Sequence, residues 1–132
     1  MNKTVVKNKE FICRRDLTER IQDMWYACAD TEKKFNWTET KPRIDFLHGI
    51  TDGLYEIRKK FVVSYETIEQ YKATENIAVG DVKKELEKLD KEWSGELKHA
   101  EAINDSYSTS SFSGKIEAIK RVLEQVEALR KG

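Results

Sequence analysis

The sequence has little of what most fold classes other than helical bundles require. Its 132 residues include one proline, six glycines and two cysteines. So little proline and glycine argues against a collagen-like chain, a β-sandwich or a disordered linker. The two cysteines, Cys13 and Cys28, are too far apart for a C-x-x-C pair, so the pattern indicates neither a zinc site nor a thioredoxin-like motif. We expect two free thiols, with Cys28 on a core face.

An excess of charge of one sign and long apolar runs are also missing. The 24 basic residues balance the 24 acidic ones, and the formal net charge is zero. Without long-range electrostatic attraction, a dedicated nucleic-acid or anionic-membrane binder is disfavoured. No run approaches the roughly 18 apolar residues of a membrane span, and charges near the N-terminus interrupt any signal-peptide core. We therefore expect a cytoplasmic protein that does not interact with membranes.

What the sequence does contain is apolar residues at helical spacing. Apolar positions recur every three or four residues and predict helices at about 16–35 and 42–73, a third that ends at about 105, and a fourth at 113–132 after a serine-rich loop. The third helix has two alternative N-caps, Asn76 and Asp81. Residues 1–15 form a separate N-terminal arm, predicted as a short β-hairpin or an extended segment. Amphipathic helices must bury their apolar stripes together. The predicted fold class is all-α, a single-domain four-helix bundle with two long and two shorter helices over residues 16–132.

Two glycines, Gly49 and Gly53, lie inside the second predicted helix. Each costs about 1 kcal/mol relative to alanine at such a position. Two interpretations are open: the glycines allow another helix to approach closely, or they are simply tolerated.

Histidines and carboxylates raise the question of a metal site. Glu96 and His99 have the Glu-x-x-His spacing that ferritin-like di-iron bundles place on their helices, and Asp45 and His48 form an imperfect copy. At about 100° per residue, however, Asp45 and His48 point away from the apolar stripe of their helix. Ligands of a core metal must face inward, so we expect no metal site and no cofactor.

Arg43 and His48 together have a spacing that also occurs in an enzyme family. The arginine is followed by the histidine after four intervening residues, a spacing that resembles the signature of HEPN ribonucleases, which are small helical domains. The resemblance implies that the two residues would bind a phosphate and act as acid or base. The chain departs from the family pattern because Ile44 follows the arginine and because the motif opens the second helix. No nucleophile elbow or phosphate-binding loop accompanies it.

The N-terminal segment is locally basic. Its cationic residues outnumber the single acid, Glu10, and give residues 1–15 a net side-chain charge of +4; they are Lys3, Lys7, Lys9, Arg14 and Arg15. These five residues are the candidates for contact with nucleic-acid phosphates. The remainder of the chain has the opposite charge and would oppose duplex binding at low salt, so nucleic acid is the less favoured partner.

Apolar side chains outside the predicted core stripes indicate a binding surface. Tyr26, Trp37, Tyr55 and Val62 occupy polar or off-stripe positions. Aromatic residues in polar surroundings are typical of binding hot spots. The favoured function is a non-enzymatic interaction module, an adaptor, inhibitor or assembly factor, that binds a partner protein, with homo-oligomerisation left open. The alternatives are a small metal- or Arg/His-dependent enzyme and a binder of nucleic acid or nucleotide through the basic arm.

Overall fold

The computed structural model describes residues 10–35, 40–64 and 66–132, which form five helices and two short strands. In chain order these are β1 (Phe11–Cys13), α1 (Arg14–Phe35), α2 (Lys41–Phe61), α3 (Ile68–Thr74), β2 (Asn76–Ala78), α4 (Val79–Ala102) and α5 (Ser106–Lys131). The predicted all-α bundle is confirmed. The four long helices have 21 to 26 residues each, so they are similar in length, and α3 is an additional helix of seven residues.

The four long helices bury the apolar stripes that the sequence predicts. α2 and α5 form the central pair, α1 packs mainly on α2, and α4 packs on α5. Every predicted stripe supplies fully buried side chains, among them Leu17, Ile21, Ile50, Leu54, Ile57, Phe61, Val82, Leu86 and Val126. The bundle is therefore one continuous hydrophobic core, which the four helices share.

Small residues let the backbones of α2 and α5 approach each other closely. A Cβ atom added at Gly53 would lie 2.8 Å from the Cβ of Ala118, and one added at Gly114 would lie 2.8 Å from the backbone nitrogen of Ile50. At Gly49 the added atom would overlap the carbonyl oxygen of Ser111. Of the two interpretations of the α2 glycines, close helix approach is the correct one.

The serine-rich segment that was predicted as a loop is the first part of α5. Asp105 caps this helix, because its carboxylate accepts hydrogen bonds from the Ser108 backbone N–H (3.1 Å) and from the Ser108 hydroxyl (2.8 Å). Asn104, with φ 58°, reverses the chain just before the cap. Serine is a weak helix former, which is why the prediction was wrong. Here a strong cap and small side chains at the contact with α2, including the buried Ser111, favour the helix.

The Asp105 cap predicts a pH-dependent contribution to stability. Hydrogen bonds from Ser108 lower the pKa of Asp105 in the folded protein. A carboxyl group with a lowered folded pKa stabilises the fold above its unfolded pKa, about 3.9, and loses that contribution as the pH falls through the folded value. In circular-dichroism melts, Asp105→Ala should lower Tm at neutral pH, and the deficit should shrink as the pH drops below about 4. Asp105→Asn, which retains a capping oxygen without a titrating group, is the control. A pH-independent deficit in the alanine variant would contradict this assignment.

The second predicted helix is broken at Phe61, so the prediction of one long helix was wrong. Val62 has an extended backbone (φ −75°, ψ 129°), and both Val62 and the adjacent Val63 are β-branched, which disfavours the helix. Arg14 stabilises the break from outside, because its Nη1 donates to the Phe61 carbonyl (3.0 Å) and its Nε donates to the Thr74 carbonyl (2.9 Å). One guanidinium thus satisfies carbonyl groups at the ends of α2 and α3.

The short sheet joins the start of the chain to its middle. β1 pairs antiparallel with β2, with Ile12 opposite Ile77, and both isoleucines are buried. The described partner of β1 therefore lies between α3 and α4, whereas the predicted hairpin placed it within the N-terminal segment. Residues 11–15 of the predicted arm lie in β1 and the first turn of α1.

Candidate interaction surface

Three of the four predicted contact residues lie in the described chain, and all three are exposed. Tyr26 on α1 and Tyr55 on α2 expose 54% and 52% of their surface, and Val62, just after α2, exposes 46%. Trp37 lies outside the described residues. The ring of Tyr26 packs edge-on against Trp25, with ring centroids 5.2 Å apart, which gives this exposed aromatic residue a fixed neighbour.

Hydrogen bonds connect the exposed aromatic residue of α1 to the end of α2. The Gln22 amide donates to the Tyr26 hydroxyl and its oxygen accepts from Nη2 of Arg58, each at 3.3 Å. Arg58 lies about one helical turn before Val62. Tyr26 and Val62 therefore mark two ends of one stretch of surface that crosses from α1 to the end of α2.

The break after α2 opens a groove between the start of α1, the end of α2 and α3. The groove has a volume of about 680 Å³. Its apolar lining includes Val62, Val63 and Ile68, of which Ile68 is the most exposed at 69%. Its cationic lining consists of Arg14, Arg15 and Arg58. We call this feature the Val62 groove and define it by these six residues.

The short helix α3 forms one wall of the groove without contributing to the core. None of the residues Ile68–Thr74 is buried. Thr67 caps the helix, since its side-chain oxygen accepts from the Gln70 backbone N–H at 3.1 Å. A helix of this length is not stable by itself, and its caps and contacts with α1, including the bond from Arg14 to the Thr74 carbonyl, stabilise it. As a result, Ile68 presents apolar surface to solvent beside the groove.

The three arginines of the groove differ in how their charges are neutralised. Arg15 forms an ion pair with Glu19 (2.9 Å), which raises the pKa of this guanidinium. Arg14 donates to two main-chain carbonyls, and Arg58 donates to the neutral amide of Gln22. Within the described ranges, neither Arg14 nor Arg58 forms an ion pair with a carboxylate, and the buried Nε of Arg58 has no hydrogen-bond partner. Arg14 and Arg58 therefore line the groove without an ion pair to any carboxylate of the described residues.

The comparisons with known proteins give no relative of this chain. No protein-family model, curated protein or solved structure matches the chain. In the part of the chain that the structure describes, no helix has both the length and the apolar character needed to cross a membrane. The function is accordingly inferred from the chemistry of this chain's own residues.

The structure brings together residues that the sequence had assigned to different functions. Arg14 and Arg15, predicted as part of a nucleic-acid arm, line the same groove as Val62, predicted as a protein contact. The other three residues of that arm, Lys3, Lys7 and Lys9, lie outside the described residues. The roles of Arg58 and Ile68 did not follow from the sequence, because a continuous second helix leaves no groove for them to line. The only available signal was the weak helix propensity of two consecutive valines.

The HEPN-like pair, Arg43 and His48, makes separate contacts with α1. His48 Nδ1 lies 3.3 Å from a carboxylate oxygen of Glu32, and the Arg43 guanidinium lies over the ring of Phe35, 5.9 Å from its centroid. The two side chains therefore contact different residues of α1. The enzymatic alternative remains a prediction from spacing.

A polar cluster that includes a thiol lies at the junction of α1, α2 and α5. The Thr51 hydroxyl donates a hydrogen bond to the Glu32 carboxylate, and Arg121 donates to the Cys28 sulfur at 3.8 Å. Burial raises the pKa of the Cys28 thiol, and the nearby positive charge of Arg121 only partly opposes this effect. The protonated thiol is a poor nucleophile, so this geometry does not activate Cys28 for covalent chemistry.

The residues considered for a metal site are distributed over separate helices. Glu96 and His99 are exposed on α4. Asp45 is buried on α2 and forms an ion pair with Lys41 at 3.4 Å, so the expectation that Asp45 faces solvent was wrong. Among the described residues, no three histidine, cysteine, aspartate or glutamate side chains are arranged to hold a metal ion.

Proposed function

We propose that this protein binds a partner protein through the Val62 groove, with the exposed residues Tyr26 and Tyr55 as further contacts. The observation supporting the proposal is that exposed apolar side chains gather around one concave feature. Single exposed apolar residues are ordinary on protein surfaces. A group of them beside arginine and tyrosine has the composition of a binding hot spot.

The proposed role is that of an adaptor, inhibitor or assembly factor. The described groove has an apolar wall and guanidinium groups, which suit the recognition of a polypeptide. The bundle supplies a rigid base for this surface, since Phe61 at the end of α2 is fully buried in the core. Binding by this mechanism requires no cofactor.

A pair of matched variants tests the proposal. Ile68 and Tyr107 are both exposed and both lie in the first turn of a helix, where an acidic residue is favourable, but only Ile68 lines the groove. We expect the tagged protein to capture a stoichiometric partner from a lysate of its native host. Ile68→Asp should reduce that capture by about tenfold or more, whereas Tyr107→Asp should not. Quantitative mass spectrometry measures the captured partner.

Two results would contradict the proposal. One is equal capture of the partner by wild type and Ile68→Asp, which would place binding elsewhere. The other is the absence of any stoichiometric partner. Because both substituted side chains are exposed, circular dichroism and Tm should be close to wild type for both variants, which separates a binding defect from a folding defect.

A further inference from the structure

We propose that the Val62 groove recognises an acidic and apolar peptide segment, one that places a carboxylate beside an aliphatic or aromatic side chain. The inference rests on the proposed function and specifies the chemistry of its partner. It follows from one juxtaposition: Arg14 and Arg58 line the same groove as the exposed residues Val62, Val63 and Ile68.

Arg58 is the residue that selects the carboxylate. Its Nη2 donates to the neutral amide of Gln22 at 3.3 Å, and no carboxylate of the described residues lies within ion-pair distance of Arg58. A carboxylate can accept two parallel hydrogen bonds from a guanidinium, and such charge-assisted bonds are about twice as strong as neutral ones. Exchanging the Gln22 amide for a peptide carboxylate therefore improves the pairing of Arg58. Arg14 adds a second positive charge without breaking its bonds to the helix ends.

The groove also contains features that limit how acidic its ligand can be. Glu66 and Glu75 line it, and neither lies within ion-pair distance of Arg14 or Arg58. These carboxylates repel a run of negative charges. The geometry thus favours an isolated acidic residue over a polyacidic segment, and it disfavours nucleic acid with its regularly repeated phosphates.

The apolar wall supplies the second part of the recognition. Val62, Val63 and Ile68 together offer aliphatic surface whose burial by a ligand side chain is favourable. A ligand that offers only an anionic group would leave this wall in water. The chain's own first nine residues have the wrong charge to occupy the groove, because they contain Lys3, Lys7 and Lys9 and no acidic residue. A segment of another protein is therefore the occupant that can contact both the apolar wall and the arginines.

A selection experiment on the full chain tests this chemistry. The probe is a displayed library of random peptides, and the peptides it yields are then synthesised with a fluorophore. We expect the enriched sequences to place aspartate or glutamate beside an aliphatic or aromatic residue. In fluorescence polarisation, replacing the acidic residue with its amide, or introducing Arg58→Gln, should weaken binding about tenfold or more. Added salt should weaken binding by wild type.

Control variants separate recognition from folding. Arg20 lies on α1 outside the groove, where it donates to Gln125 at 3.0 Å, so Arg20→Gln should bind the peptides as wild type does. Arg58→Lys retains the charge but not the paired donors, and it should bind with intermediate affinity. If all arginine variants lose affinity and Tm together, the effect is structural, and the proposal for Arg58 is overturned.

Other outcomes also overturn the inference. They are enrichment of basic or uncharged peptides, or no enrichment at all. An affinity of Arg58→Gln for the peptides equal to that of wild type also overturns it, as does stronger competition by a single-stranded RNA oligonucleotide than by the unlabelled peptide. A dimer that dissociates on Arg58→Gln in sedimentation would make a second copy of this chain the occupant instead. If Ile68→Asp abolishes capture of the cellular partner but Arg58→Gln does not, the proposed function stands and the acidic chemistry fails. If neither variant affects capture, both fail.

Discussion

Replacing Gly49 with alanine should destabilise the protein by about 3 kcal/mol or more, although alanine is the better helix former. The added Cβ would overlap the carbonyl oxygen of Ser111, which belongs to the backbone of α5. Gly114→Ala should have a similar effect, because its Cβ would overlap the carbonyl oxygen of Phe46 on α2. A backbone atom cannot rotate away as a flexible side chain can, so the central helix pair must separate. This loss is a large share of the roughly 5–15 kcal/mol by which domains are stable.

Urea denaturation followed by circular dichroism measures this effect, and α4 supplies the matched control. Gly95 also lies within a helix, but an added Cβ would meet no described atom of another element within 4 Å. Gly95→Ala should therefore stabilise the protein by about 0.5–1 kcal/mol through helix propensity alone. If the urea concentrations at the denaturation midpoints of Gly49→Ala and Gly95→Ala rise equally, α2 and α5 can move apart freely. The close approach would then have no energetic importance.

The α2–α5 contact illustrates what sequence periodicity can and cannot predict. The apolar stripe of α2 follows from spacing alone, and Ile50, Leu54 and Ile57 are all fully buried as predicted. The glycines of α2 were recognised, but their partners, Gly114 and Ala118, lie on a helix distant in sequence. A pattern within one helix does not identify the neighbour that packs against it. The serine-rich start of α5 was misassigned for the same reason, because its small side chains are explained by α2 and not by local preference.

The end of α2 shows the same limit more directly. The spacing of apolar residues continues past Phe61 to Ile68, so local pattern favours one long helix. The structure breaks there because of tertiary contacts, including those of Arg14, which lies 47 residues before Phe61 in the sequence. The groove exists only because of this break. Exposure of Val62 was predictable from its off-stripe position, whereas its meeting with Arg14 and Arg58 was not.

Removing the Arg14 side chain should selectively melt α3 and lower the free energy of unfolding by about 1.5–3 kcal/mol. Arg14 donates to the carbonyls of Phe61 and Thr74, and a hydrogen bond to a charged group contributes in this range. α3 has no buried side chain to compensate. In Arg14→Ala, hydrogen exchange should therefore show loss of amide protection in residues 68–74. Protection in the four long helices should persist.

Another arginine of α1 provides the control for this experiment. Arg20 is exposed and donates to Gln125 on α5, so Arg20→Ala should leave the amide protection of α3 unchanged. Arg14→Lys keeps the charge but cannot reach two carbonyls with fixed geometry, and it should lie between wild type and alanine. Unchanged protection of α3 in Arg14→Ala would mean that another contact holds this helix. If α3 does melt, the groove loses the wall that contains Ile68, and capture of the partner should fall together with α3 protection while the bundle remains folded.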